Sequence, residues 1–275
     1  MKRLSPVLLA ILLGAAVVAL AGASGERQEA KAAEGKPEPR TRSDAIREAL
    51  PANVRISVTA RGKVLRTASG VVLAVRGEGE ARKGYVITNA HVAAAPAGDA
   101  VFEVLVDGRK GIARYPAKVI AQGSVPDLDL AVLEVPGLDA TPATLVADDD
   151  LELGEDVIAI GAPYGKGLSV SSGIVSQLER DENGAVQGFK TDAPIGYGAS
   201  GGGIFRVSDG KLLAVVEGYR TVKVSFPVAE KSYSFDVPMP GETFASPTAK
   251  IRGFLDAKGL GWVASSPTVT AELEK

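Results

Sequence analysis

Cysteine is absent from this 275-residue chain, and histidine occurs once, as His91. The first absence excludes disulfides, thiolate metal sites, a cysteine nucleophile and the lipid-bearing cysteine of a bacterial lipoprotein. With a single histidine beside it, a structural zinc site runs short of ligands, and no metal or other cofactor is expected. An excess of charge of either sign is also missing. The 31 basic and 33 acidic residues leave a formal net charge of -2, so no global field draws the chain to nucleic acid or an anionic membrane. Aromatic residues are few, 5% of the chain, and none precedes Tyr85.

What is present supports a folded body. The hydrophobic fraction is 45%, enough for a substantial core in one two-lobed domain or two small ones. Met1-Lys2-Arg3 and the charge-free apolar run from Val7 to Ala21 read as a secretory signal, residues 1–23, with cleavage before Ser24 after Ala21-Gly22-Ala23. Ala19-Leu20-Ala21 is a second cleavage choice, and an uncleaved membrane anchor is the alternative; either places the body in the periplasm or outside the cell. Residues 24–43 are charged, contain Pro37 and Pro39, lack apolar periodicity and read as a disordered linker.

From residue 44 the pattern is structured. Ser43-Asp44 offers a helix cap ahead of Ala45 to Leu50, stopped by Pro51. Short β-type runs follow at 54–60, 69–75, 85–88, 102–106, 117–122 and 130–135, separated by turn signals such as Asp107-Gly108. A polar connection containing Asp148, Asp149 and Asp150 reads as a solvated loop and divides a first lobe, about 44–147, from a second, about 148–264. The second repeats the rhythm at 156–160, 168–178, 186–191, 203–207 and 212–217, with room for further strands between Gly218 and Gly241. Thr248 to Ala257 has an amphipathic pattern with Ile251, Phe254 and Leu255 on one side, and residues 265–275 read as a tail. The expectation is an all-β fold of two barrels closed by a C-terminal helix.

One stretch carries chemistry. Thr191-Asp192-Ala193-Pro194-Ile195-Gly196-Tyr197-Gly198-Ala199-Ser200-Gly201-Gly202-Gly203 sets one small nucleophile among glycines that allow a sharp turn and a close approach of backbone amides to a bound carbonyl. His91 follows Thr88-Asn89-Ala90, and Asp129 precedes Leu130-Ala131-Val132-Leu133. Ser, His and Asp are an attacker, its base and the group that orients the base. Asp127 competes with Asp129 by alternation, but follows Pro126 and reads as a turn residue.

The ordered set Thr88–Val92, Asp127–Leu133, Ala159-Ile160-Gly161-Ala162-Pro163-Tyr164-Gly165, Ser169–Ser176 and Thr191–Gly202 resembles the protease domain of HtrA/Deg-type trypsin-like serine peptidases, over about residues 50–260. The resemblance implies a chymotrypsin-type double β-barrel with the site between the lobes. It makes Ser200 the nucleophile, His91 the general base and acid, and Asp129 its orienting carboxylate. The oxyanion hole then falls on Gly198, Ala199 and Ser200, and Ile195 and Tyr219 fall to substrate binding. With Pro194 rather than an acid before Ile195, a small or medium apolar P1 side chain is expected. The substrates implied are unfolded or extended polypeptides.

The chain departs from the family pattern at several points. Ala199 stands where Asn is usual, and the residues after the closing helix are too few for the PDZ domain that such proteins often carry. Family trimers form through N-terminal aromatic residues, which are absent before Tyr85, so a homo-oligomer is an open expectation. The stretch from Gly218 to Glu242 is longer than its counterpart and either extends a hairpin or shapes the cleft. The competing functional reading is a catalytically idle trypsin-like scaffold that binds exported peptides. An esterase of another class has the Gly198–Gly202 spacing in its favour but not the strand–helix alternation.

Overall fold

The computed structural model describes residues 40–94, 99–108, 111–147, 150–228 and 231–265. The expected signal segment 1–23, the linker up to residue 39, Asp148 and Asp149, and the tail from residue 266 lie outside the described residues.

The chain enters through helix α1 (Arg42–Ala49). Its cap is Thr41, two residues before the expected Ser43. The Thr41 side chain accepts the Asp44 N–H while the Asp44 carboxylate accepts the Thr41 N–H, so both orphan donors are satisfied reciprocally. Thr41 wins because only from that position does an acid three residues on close the box, and Arg42 and Ser43 therefore belong to the helix rather than the linker.

Six strands follow: β1 (Asn53–Ala60), β2 (Lys63–Arg76), β3 (Lys83–Thr88), β4 (Val101–Gly108), β5 (Gly111–Gln122) and β6 (Ala131–Pro136). They close a barrel in the order β1-β2-β3-β6-β5-β4. The second barrel is built from β7 (Asp156–Gly161), β8 (Ser169–Arg180), β9 (Val186–Thr191), β10 (Gly203–Arg206), β11 (Leu212–Val228) and β12 (Lys231–Pro247), in the order β10-β11-β12-β9-β8-β7. The connection joins the second barrel slightly earlier than expected: Leu145 bridges to Leu212, and the Val146 N–H donates to the Leu212 carbonyl.

Several strands read as continuous apolar runs because both of their faces are buried. Successive side chains point to opposite sides, so Val72, Val86 and Leu133 fill the first barrel, while their neighbours Val71, Ile87 and Val132 face a seam between the barrels. The second barrel divides its residues in the same way. Val157, Ala159, Ile204 and Ala214 point inward, and Ile158, Ile160, Phe205 and Val215 join the seam. The seam is the third core of the molecule. Helix α2 (Ala90–Ala93) is a single turn after β3, and α3 (Thr248–Ala257) matches the expected closing helix, seating Ile251, Phe254 and Leu255 in the seam.

The stretch after Gly218 extends the β11–β12 hairpin as a two-stranded arm, with Val222 opposite Val237, Val224 opposite Phe235 and Phe226 opposite Tyr233. The side chains described between 220 and 240 are exposed.

Candidate active site

Strand β3 ends at Thr88 and delivers His91 on the short α2 turn. A four-residue helix does not hold itself. Three side chains hold it here: Arg66 donates to the His91 and Val92 carbonyls, Gln122 donates to the Ala90 carbonyl at 3.2 Å, and Asp129 accepts the His91 backbone N–H at 2.8 Å. The second Asp129 oxygen lies 2.6 Å from His91 Nδ1. An ionised carboxylate only accepts, so Nδ1 carries the proton and Nε2 keeps its lone pair. Asp129 is itself held by buried Asn89, whose side-chain amide donates to the Asp129 carbonyl at 2.9 Å. Asp127 is exposed in the preceding turn, and the aspartate that meets His91 is Asp129.

Ser200 comes from the other barrel, on the turn that leads into β10. Gly198 adopts φ +91°, and a Cβ there would meet the Ala162 carbonyl at 2.6 Å, so glycine is required. The Tyr197 carbonyl is turned away to accept the Tyr164 N–H at 2.6 Å, and the Ala199 N–H is used on the Gly196 carbonyl at 3.0 Å. Among the described residues, neither the Gly198 N–H nor the Ser200 N–H has an acceptor. The expected trio of donors is thus a pair, with Ala199 taken by the turn itself. The Ser200 hydroxyl donates to the Glu217 carbonyl at 3.3 Å.

Two barrels with His91 paired to Asp129 on one and Ser200 beside two open amides on the other agree with the comparisons. Residues 68–215 match the family model described as a trypsin-like peptidase domain. The chain belongs to the trypsin-like peptidase family, HtrA/Deg type. It is 34% identical over 151 residues to a probable periplasmic serine protease do/HhoA-like of Haemophilus influenzae, covering 54% of this chain and 29% of that one. It is 37% identical over 158 residues to the periplasmic serine endoprotease DegP of Escherichia coli, covering 56% and 30%. A solved serine endoprotease from Yersinia pestis superposes with a TM-score of 0.57 at 25% identity, covering 80% of this chain and 67% of that one. The chain therefore spans less than a third of the length of the curated relatives it matches.

At Ala199, this peptidase domain has a small pocket of about 30 Å³ also lined by Ile160, Ser169, Ser171, Pro194, Ile195 and Val216. Ile195 lines this pocket together with Pro194. Tyr219 is not among its lining residues; its ring instead packs edge-on against Tyr197 at 5.9 Å, and Tyr197 contacts Tyr164 at 6.4 Å. Burial, with smaller contributions from Tyr197 and Tyr164, pushes the Tyr219 phenol up, so it stays a neutral donor at physiological pH.

Two residues of the site have no counterpart in the sequence reading. Arg66 lies in an exposed-looking stretch of β2 and gives no motif, and Ser69 reads there only as the start of a strand. A polar residue at an apolar-run position was the one available signal, and Ser69 is fully buried.

Proposed function

We propose that this domain is an exported serine endopeptidase that cleaves extended polypeptides through an acyl-enzyme. The observation that carries the reading is the His91–Asp129 contact of 2.6 Å together with the unpaired amides of Gly198 and Ser200. The Ser200 Oγ attacks the scissile carbonyl, a C–O bond forms, and the hydroxyl proton passes to His91 Nε2. The Gly198 and Ser200 N–H groups receive the oxyanion. Each donor of this kind contributes about 3 kcal/mol to the barrier reduction. The same proton then goes from His91 to the leaving nitrogen as the C–N bond breaks, and water, deprotonated by His91, releases the acid. Asp129 keeps the tautomer and offsets the imidazolium charge throughout.

The pocket favours Ala or Val at P1 over Lys or Phe, because its volume is small and its lining carries no acid. The substrate is read as extended, since main-chain pairing beside a β-barrel edge needs an unfolded strand. Export follows from the apolar run Val7–Ala21 and agrees with relatives named periplasmic.

Purified protein should react with a fluorophosphonate probe, and Ser200→Ala and His91→Ala should both abolish the reaction. Asp129→Asn should lower kcat by about 10^4-fold with the fold retained. The second reading, an idle peptide-binding scaffold, has one observation in its favour: the Ser200 hydroxyl rests on the Glu217 carbonyl. A folded protein that captures apolar peptides yet never reacts with the probe would replace the peptidase by the scaffold.

A further inference from the structure

We propose that Ser69, on the first barrel, is a positioning residue that holds the amide-lined turn before Ser200 in its receptive form. The proposal rests on the peptidase reading and concerns how the second barrel's turn is kept in shape by the first. Ser69 is fully buried, and each of its polar groups is engaged. Its Oγ accepts the Ala162 N–H at 2.8 Å and donates to the Gly198 carbonyl at 2.7 Å. Its backbone N–H donates to the Ser200 carbonyl at 2.8 Å. Its own carbonyl accepts from the Thr88 hydroxyl at 2.8 Å, three residues before His91.

The direction of the Gly198 N–H is a matter of two peptide planes. The Tyr197–Gly198 plane is fixed on its carbonyl side by the Tyr164 N–H. The Gly198–Ala199 plane is fixed on its N–H side by the Gly196 carbonyl and on its carbonyl side by Ser69 Oγ. Gly198 lies between these planes in the left-handed region, where glycine has many alternatives of similar energy, so the residue cannot set its own conformation. Ala199 supplies only a buried methyl group. The Ser69 hydroxyl is therefore the side-chain hydrogen bond on this turn that reaches across from the other barrel. Without it, the Gly198 carbonyl and the Ala162 N–H lose their partner in a dry place, and rotating the Gly198 plane becomes the route to regain one.

The test is Ser69→Ala in the full chain, with Ser69→Cys as a variant of similar size whose weak donor restores part of the contact. Ser69→Ala should lower kcat and the fluorophosphonate labelling rate together, by about 10- to 100-fold, the scale of a misplaced catalytic group. Affinity for a peptidyl boronic acid should fall by a similar factor, because that ligand uses the amide pair. KM for an Ala-P1 peptide and the midpoint of the acid limb of the pH–rate profile should stay where they are, since Ser69 does not touch His91 or Asp129. Ser69→Cys should fall between. Wild-type labelling rates in both variants would overturn the proposal, as would a loss of rate that comes with an equal rise in KM and a displaced acid limb. Absence of labelling in the wild type would instead overturn the peptidase reading. Ser69 is then tested by amide NMR of the same variants: broadened, shifted Gly198 and Ala199 signals support it, and unmoved ones refute it.

Discussion

At the scale of single residues, the site is built as much by what glycine permits as by the three reactive side chains. Gly201 adopts φ +84°, and a Cβ there would sit 2.1 Å from the Ser69 carbonyl and 2.4 Å from Thr88 Oγ1. Neither neighbour is the loose end of a flexible chain, so Gly201→Ala has to displace β2 or distort the turn. It should cost at least about 2 kcal/mol of stability and remove probe labelling, both measurable against a Gly253→Ala control on α3, where a Cβ meets nothing within 4 Å. A Gly201→Ala protein with unchanged melting and labelling would show that the turn is far more plastic than its contacts imply. His91, Asp129 and Ser200 were legible in the sequence because each stands in a short local pattern. Asp129 over Asp127 was legible too, from the apolar strand behind it. Arg66 and Ser69 were not, because what they do is bond to backbone carbonyls and amides that are distant in sequence, at His91 and at Gly198. No local pattern encodes such a partner. Spacing alone makes the Ala199 amide look as available as its neighbours, because it does not reveal that the turn uses this N–H on the Gly196 carbonyl.

At the scale of elements, the strands buried on at least one face were legible, and the stretch after Gly218 left two readings open, a longer hairpin or a cover for the cleft, of which the structure shows the longer hairpin. Val-rich runs such as 71–73 and 157–160 have cores on both sides, and α3 was found to its ends because its apolar stripe faces a single seam. The arm beyond Tyr219 has one ribbon face of Val222, Val224, Phe226, Tyr233, Phe235 and Val237 in strict alternation, and its register shifts lie at its base, near Gly218 and Thr221. The alternation marks the strands, but it does not tell that the side chains on both faces of the ribbon are exposed. A two-stranded ribbon that packs on no third element adds little to the barrels. Replacing residues 221–238 by a short Asn-Gly turn should therefore leave the melting temperature within a few degrees, on the scale of about 1 kcal/mol for a body of this size. Labelling of Ser200 should persist, because Glu217 and Gly218 lie in the part of β11 paired with the barrel. A large loss of stability would mean that the arm is packed more tightly than its exposure indicates.

At the scale of the molecule, each end of the described chain is tied to the barrel that is not its neighbour in sequence. Helix α1 leads into the first barrel, yet Arg42 pairs with Asp156 at 3.8 Å and Arg40 donates to the Asp209 carbonyl at 3.0 Å, both on the second. The segment after α3 follows the second barrel, yet Trp262 packs edge-on against Tyr85 at 4.7 Å and lies under the Arg76 guanidinium at 3.6 Å, both on the first. Between these straps, Asn53 accepts the Gly203 N–H at 3.2 Å and donates to the Ala49 carbonyl at 2.8 Å, in a seam shared by both barrels. Neither barrel can open without exposing the seam residues of the other, so the two should unfold as one cooperative unit. Differential scanning calorimetry of the purified protein should give one transition with calorimetric and van't Hoff enthalpies that agree, and probe labelling should be lost at the same midpoint. Trp262→Ala removes the ring's contacts with Tyr85 and Arg76 of the first barrel at the far end of the chain, and should lower that single midpoint without dividing it. If two transitions appear instead, with labelling lost in the earlier one, the barrels are independent and the seam is only a contact surface. The proposed nucleophile and its proposed base would then meet by docking rather than by folding.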